Sequence, residues 1–142
     1  MWFNPIMIWL ARSPLHGLVS KQVMLITYTG RKSGQTYTVP VNYIQNGDQF
    51  LTTSYRQRTW WRNLRGGVPV TIRVQGRNLK AVAETVEEVD AVAENLMTLF
   101  RIAPQYARYY AVTLEEDGRP NPQEVVKAAQ DKVIVHTRGI GA

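Results

Sequence analysis

Leu25-Ile26-Thr27-Tyr28-Thr29-Gly30-Arg31-Lys32-Ser33-Gly34-Gln35 decides how this chain is read. The stretch runs on through Thr36-Tyr37-Thr38-Val39-Pro40-Val41, and the informative region closes at Thr59-Trp60-Trp61-Arg62-Asn63-Leu64. An apolar strand enters a loop bounded by two glycines, and a second strand leaves it. Gly30 and Gly34 permit backbone conformations that other residues resist, so successive N–H groups can converge on one point. Arg31 and Lys32 add two positive charges there. Such a loop suits a phosphate or a carboxylate. The plainer reading is a hairpin whose Arg-Lys tip only keeps it soluble. On these residues alone both readings stay open.

Outward from the loop, the first strand covers Val23 to Thr29 and is apolar enough to be buried on both faces. The second, from about Thr36 to Ile44, alternates Tyr37, Val39, Val41 and Tyr43 against Thr36, Thr38, Pro40, Asn42 and Ile44. Pro40 has no N–H to give a ladder, which predicts a sheet edge or a bulge at that point. Gln45-Asn46-Gly47-Asp48 predicts a hairpin turn, returning as a strand from Gln49 to Ser54. Thr59 to Arg65 reads as a short helix with Thr59 as N-cap and Gly66 as its stop. Val70–Val74 and Leu79–Val86 form a second hairpin around Gln75-Gly76-Arg77-Asn78.

After Val86 the apolar period changes from two to about 3.6. Val89, Val92, Leu96, Leu99 and Phe100 define a helix over 87–103, with Thr85 and Glu88 as a candidate capping box. Pro104 ends it, and Gln105 to Val112 carries three tyrosines. Asn121-Pro122-Gln123-Glu124 opens a last helix over 122–132, followed by a closing strand from Val133 to Thr137. Antiparallel hairpins with helices mostly at the ends predict a mainly β fold with flanking helices, a closed or split barrel. The N-terminal segment 1–20 reads as helical, with Asn4-Pro5 opening it. Its apolar run from Ile6 to Ala11 is far shorter than the roughly 20 residues that span a bilayer. Such a helix packs on its own barrel, or lays Trp2, Phe3, Ile6, Trp9 and Leu10 on a membrane surface.

The 142 residues suffice for one domain, 1–142, with a proper hydrophobic core. Apolar residues at 44% and charged residues at 20% place it among ordinary globular proteins and against disorder. The absence of cysteine excludes disulfides, thiolate chemistry and Cys-based metal sites. A net charge of +6 points to an anionic partner. No basic tail or nucleic-acid motif accompanies it, and a multiply charged anionic cofactor explains the cations between Arg31 and Arg65 at least as well as nucleic acid does. His16 and His136 have no carboxylate or second histidine at ligand spacing, and each reads as a surface or packing residue, which leaves no metal site. No nucleophile elbow is present. A chain without these groups performs hard chemistry by borrowing a redox cofactor, supplying binding and orientation itself.

Thr-Gly-Arg-Lys-Ser-Gly-Gln, then Val-Pro, a Gly-Asp hairpin and Trp-x-x-Asn-Leu, taken in that order, resemble the deazaflavin-dependent nitroreductase family. The resemblance covers residues 20 to 85 well and continues weakly to Tyr110. It implies a split β-barrel of the FMN/deazaflavin-binding type and the 5-deazaflavin coenzyme F-420, with FMN as the alternative cofactor. It also implies hydride transfer to a small electrophilic acceptor: a nitro compound, a quinone or an activated alkene. Arg31, Lys32, Ser33 and Gly34 would hold the cofactor's phosphate and acidic tail, and Thr38, Val39 and Pro40 would run beside its ring through backbone contacts. Ser54, Trp60 and Asn63 match further family positions, with Trp60 near the ring and Asn63 fixing the helix or a cofactor hydroxyl. Pro104-Gln105-Tyr106-Ala107-Arg108-Tyr109 matches the family's Pro-x-Tyr-x-x-Tyr, making Tyr106 the first candidate proton donor and Tyr109 the second.

Two departures from the family pattern stand out. Tyr37 occupies a place where many relatives carry arginine, and the segment Tyr55-Arg56-Gln57-Arg58-Thr59 is shorter than theirs. Arg56 and Arg58 are candidates to restore the missing charge toward the cofactor. The rival readings are an FMN enzyme of the same fold and a non-catalytic carrier of flavin, heme or lipid. The resemblance implies a cytoplasmic protein, and barrels of this type commonly pair into homodimers across a sheet face.

Overall fold

Alternation of inward and outward side chains on curved strands produces the architecture. The computed structural model describes residues 23–140, and the predicted N-terminal helix, with His16, lies outside the described residues. Seven strands form one antiparallel sheet: β1 (Val23–Thr29), β2 (Thr36–Asn42), β3 (Ile44–Asn46), β4 (Gln49–Tyr55), β5 (Val68–Val74), β6 (Arg77–Val86) and β7 (Lys132–Gly139). Their spatial order is β2-β1-β5-β6-β7-β4-β3. The two edge strands, β2 and β3, are successive in the chain and separated only by Tyr43, so the sheet curls until its edges share one residue. That is the split barrel expected from the hairpin pattern.

The second predicted strand is therefore two. Tyr43 is buried, with its ring 5.5 Å edge-on from Phe50. Anchoring this side chain breaks the ladder, and the chain changes partner from β1 to β4. Pro40 lies in edge strand β2, where a missing N–H is tolerated. Two-residue turns at Gly47-Asp48 and Gln75-Gly76 close the hairpins, and Gln75 and Gly76 both take positive φ, 51° and 78°.

Met24, Ile26, Tyr28, Phe50, Trp61, Leu64, Ile72 and Val135 fill the barrel interior. The opposite faces of β4 and β7, at Leu51 and Ile134, lie under α1 (Val89–Ile102) and α2 (Pro122–Ala129). Buried Val92, Leu96, Leu99 and Phe100 are the helical stripe read from the sequence. Strands β4 and β7 are thus buried on both faces, because they separate two cores, and Thr52, Ser54 and Thr137 are buried with them.

Caps decided the helix ends less uniformly. Asn121 accepts a hydrogen bond from the Glu124 N–H at 3.0 Å, with Pro122 in the first turn, as expected. Thr85 stays in strand β6 opposite Val135 and donates to Glu87 at 3.0 Å, so the capping box with Glu88 does not form and α1 begins only at Val89. Helix α2 stops at Ala129 rather than 132, because Lys132 already pairs with Tyr55 in the sheet. The Trp60–Leu64 segment is a single 3-10 turn, and Thr59 makes no side-chain cap. A second 3-10 segment, Pro104–Tyr110, follows α1.

Candidate functional site

The loop after β1 is held in shape mostly by its own backbone. The Gly30 N–H donates to the Gln35 carbonyl at 2.8 Å, and the Gly34 N–H donates to the Gly30 carbonyl at 2.9 Å. Ser33 Oγ accepts from the Gln35 N–H and shares a hydrogen bond with the Tyr37 hydroxyl at 3.1 Å. A Cβ on Gly30 would stand 2.8 Å from the Tyr37 ring and 2.9 Å from Ser33 Oγ, so only glycine fits this fold of the loop. Gly34, with φ +70°, serves the turn and does not face a cavity.

The Trp60–Leu64 turn pins this loop from the other side. Asn63 Oδ1 accepts from the Arg31 N–H at 3.0 Å, while its amide donates to the Trp60 carbonyl at 2.9 Å. The Arg31 guanidinium donates to the Arg65 carbonyl. Asn63 is thus the joint between loop and turn, the structural half of the role expected for it. The loop N–H groups are in part already used: those of Gly30, Arg31, Gly34 and Gln35 are occupied within the protein. Of the loop tip, the N–H groups of Lys32 and Ser33 are left to face an anion beside the side chains.

Together the loop and the turn enclose a pocket of about 580 Å³ whose lining includes Arg31, Lys32, Ser33, Tyr37, Arg62 and Arg65. Arg65 is committed to Glu87 through two 2.9 Å hydrogen bonds, and that guanidinium holds the Glu87 carboxyl below its ordinary range. Arg62 and Arg65 lie over the Trp61 ring at 5.6 and 5.1 Å, which fixes their heads at the pocket floor. Among the described residues Lys32 and Arg62 have no carboxylate partner, so their charges face the pocket uncompensated.

A second cleft, of about 530 Å³, opens between β2–β4 and the Pro104–Tyr110 segment. Pro40, Ser54 and Trp60 form part of one wall; Tyr106, Tyr109 and Tyr110 form part of the other. Trp60 Nε1 donates to Ser54 Oγ at 3.1 Å, which orients the indole. Its ring centroid lies 6.3 Å from that of Tyr28, a residue of the basic pocket, so this buried aromatic pair stands between the two cavities. Trp61, by contrast, is wholly inside the barrel core. Tyr106 and Tyr109 stand 6.2 Å apart, and burial, followed by the neighbouring Tyr109, raises the Tyr106 hydroxyl above its ordinary pKa. Burial likewise raises Tyr110, whose hydroxyl is 2.6 Å from Thr53 Oγ1.

Four expected site residues, Gly34, Thr38, Val39 and Arg56, lie on neither cavity lining. Val39 points into the barrel core and the Thr38 hydroxyl pairs with Thr27 at 2.9 Å, which leaves their backbone for the contacts expected of them, while Pro40 lines the aromatic cleft. Alternation along β2 puts neighbours on opposite faces. Arg56 donates to the carbonyls of Glu87 and Lys132, a tie between strand ends away from either cavity lining, whereas Arg58 does line the aromatic cleft. His136 packs under α1 with Asn95 Oδ1 2.6 Å from its ring nitrogen, and burial lowers its pKa.

Sequence reasoning missed Arg62, Tyr37, Tyr110 and Lys132 as lining residues. The cation density between Arg58 and Arg65 and the third tyrosine after Pro104 were available signals. Lys132 had none, since only the β4–β7 pairing brings it beside Tyr55.

The family described as F420H2-dependent quinone reductase matches residues 13–116. No curated protein matches the chain. Among solved structures, it is similar to a putative pyridoxamine 5'-phosphate oxidase from Listeria innocua, with 13% identity, 89% of this chain and 90% of that one covered, and a TM-score of 0.54. The heme storage protein HutZ from Vibrio cholerae aligns at 11% identity over 92% of each chain, TM-score 0.54. A general stress FMN/FAD binding protein from Xanthomonas citri aligns at 14% identity over 86% of this chain and 78% of that one, TM-score 0.53. At these identities the likeness is one of fold. No helix among the described residues is long and apolar enough to cross a membrane.

Proposed function

Because the chain belongs to the F420H2-dependent quinone reductase family, we propose that it reduces a quinone-type acceptor in the aromatic cleft, with the tail of coenzyme F-420 in the basic pocket. One observation carries this reading: a cationic pocket and an aromatic cleft lie on either side of a single pair of packed rings, Trp60 and Tyr28. A ligand with a flat ring at one end and a charged tail at the other has that shape and polarity. The residues present fit the cofactor. Lys32 and Arg62 offer uncompensated charge to a phosphate, with Arg31 and Ser33 beside them. The Gly30 cradle has no room for a side chain. Pro40, Ser54 and Trp60 would bound the ring.

When bound, the deazaflavin supplies a hydride. Reducing a quinone takes one hydride and one proton, and the chain must supply or relay the proton. Tyr106 is the donor in this reading, with Tyr109 second, because both line the cleft and a tyrosine hydroxyl carries its proton at neutral pH. The tyrosine would recover its proton from solvent at the cleft mouth, where Tyr109 is 68% exposed. The cleft walls exclude water from one side of the ring and set the angle between ring and acceptor.

Titration of the purified protein with deazaflavin, FMN and heme tests the cofactor: deazaflavin should bind, and preferential binding of FMN or heme would replace this reading. Oxidation of reduced deazaflavin on adding a quinone tests the reaction. Tyr106→Phe should lower turnover at saturating acceptor by about a hundredfold, the usual scale of general acid catalysis, with cofactor affinity kept. Unchanged turnover would remove Tyr106 from that role. Nitro compounds and activated alkenes are the acceptors to compare. The same reading includes a homodimer, for which light scattering should return twice the mass of the chain.

A further inference from the structure

Among the described residues, the lining of the aromatic cleft carries two cations and no carboxylate. Arg58 stands on one side and Lys132 on the other, between tyrosine rings. Lys132 is built into place rather than free to wander. Its side chain is only 13% exposed, and its ammonium lies 4.4 Å from the Tyr55 ring centroid and 5.7 Å from that of Tyr110. Its backbone pairs with Tyr55 across the sheet, and its carbonyl accepts from the Arg56 guanidinium at 3.0 Å. Tyr110 is itself fixed by Thr53. Asp131 reaches the same ammonium at 2.7 Å, but that carboxylate is 60% exposed and does not line the cleft. Only the Asp131 half of that pair is open to solvent, so it offsets part of the Lys132 charge, whereas Arg58 has no carboxylate partner among the described residues. Lys132 also lies beyond residues 13–116, so family membership says nothing about it.

We infer that the cleft selects an acceptor bearing negative charge on a flat aromatic or quinone ring, with Lys132 and Arg58 receiving that charge. The inference rests on the proposed quinone reduction and adds the charge class of the acceptor. Stacking against Tyr106, Tyr109 and Trp60 would take any flat ring, so it cannot by itself distinguish a charged quinone from a neutral one. Two cations in a cleft without an opposing carboxylate can, because an anion there meets fixed positive charge while a neutral ring gains nothing from it.

The test uses the full chain and two probes of nearly equal shape. One is 2-hydroxy-1,4-naphthoquinone, an anion at neutral pH, and the other is uncharged 1,4-naphthoquinone. Calorimetric titration should show the anion bound about tenfold more tightly, the scale of one charge-assisted contact. Lys132→Gln should abolish that preference while leaving the affinity for the neutral quinone and for deazaflavin within about twofold, and Lys132→Arg should retain it. Arg58→Gln, at an exposed position that the fold does not depend on, provides the same measurement if Lys132→Gln fails to fold. Equal affinities in the wild type, or a preference that survives both variants, would overturn the inference. So would a loss of deazaflavin affinity in Lys132→Gln, which would assign the cation to the cofactor ring. Absence of deazaflavin binding in the wild type would instead defeat the proposed function and leave the anion preference measurable on its own.

Discussion

The basic pocket draws its lining from two short stretches, 28–37 and 59–65, whereas the aromatic cleft gathers residues spread from Pro40 to Lys132. The pocket is a loop and a turn stitched by Asn63, seated on the barrel core through Trp61. The cleft exists only because β2, β4, β7 and the Pro104–Tyr110 segment arrive at one place. Charge gathered by local sequence can be read and changed locally. Shape gathered by long-range pairing cannot, and it depends on the whole sheet holding.

Trp61 is where this contrast breaks most completely. It is 1% exposed, and both Arg62 and Arg65 lie over its ring. Trp61→Ala should cost about 3–5 kcal/mol, read as a large fall in melting temperature, and should damage both cavities because the barrel itself loosens. Its indole N–H has no hydrogen-bond partner, so Trp61→Phe should recover most of that loss. A Trp61→Ala protein of wild-type stability would show that the pocket does not rest on the core.

Lys32→Ala combined with Arg62→Ala should act on the pocket alone. Losing these contacts should weaken deazaflavin binding about ten- to a hundredfold, or roughly 1.5–3 kcal/mol, with the melting temperature of the cofactor-free protein nearly unchanged. Added salt should weaken the wild type more than the double variant, since fewer charges remain to be screened. Pairing Arg31 with Lys32, the choice that the sequence alone suggests, is the less clean experiment. Arg31 also ties the loop to the Arg65 carbonyl, so Arg31→Ala should lower stability as well as affinity. Unchanged affinity in the Lys32/Arg62 variant would make the loop an ordinary turn.

Asn63→Ala sharpens the comparison by cutting the joint while leaving every charge in place. It removes the partners of the Arg31 N–H and takes one hydrogen bond from the Trp60 carbonyl, which should cost about 1–2 kcal/mol in denaturant unfolding. Cofactor affinity should fall with it, because the loop's cations lose their orientation. An effect on stability without one on affinity would separate the pocket from the loop's shape.

The smallest effect belongs to His136, on the helix-covered face of the sheet and remote from the basic pocket. Burial disfavours its charged form, so its folded pKa lies below its unfolded value. The unfolded chain then binds the proton first, and stability should decline as pH falls below about 6.5, levelling off once the folded pKa is passed. His136→Gln should flatten that part of the stability–pH curve without moving cofactor affinity. A curve that rises on acidification would mean that Glu84, rather than burial, governs this histidine.

Most strands and both glycine hairpins were legible because alternation and turn chemistry act over a few neighbouring residues. The helical stripe from Val92 to Phe100 and the Asn121 cap were legible for the same reason. Thr59 and Thr85 misled because a capping residue is chosen by competition. Thr85 was claimed by strand β6, and the Thr59 turn stayed 3-10. Thr38 and Val39 were expected beside a ring through their backbone, and the pleat commits their side chains elsewhere, Val39 to the core and Thr38 to Thr27. Arg56 and Arg58 look interchangeable in the sequence and stand two positions apart; one became a strand clamp and the other a cleft wall.

By itself the sequence determined the antiparallel hairpins, the basic loop with its glycines and the aromatic segment after Pro104, since each depends on spacing within about a dozen residues. Only the tertiary structure decided which cations are spent on neighbours and which face a cavity. Arg65 goes to Glu87 and Arg31 to a carbonyl, while Lys32 and Arg62 remain for a ligand. It alone brought Lys132 from the start of β7 into the same cleft as Pro40 and Tyr106. The physical reason is range: hydrogen-bond ladders between distant strands set those neighbours, and no local pattern encodes which strands will meet.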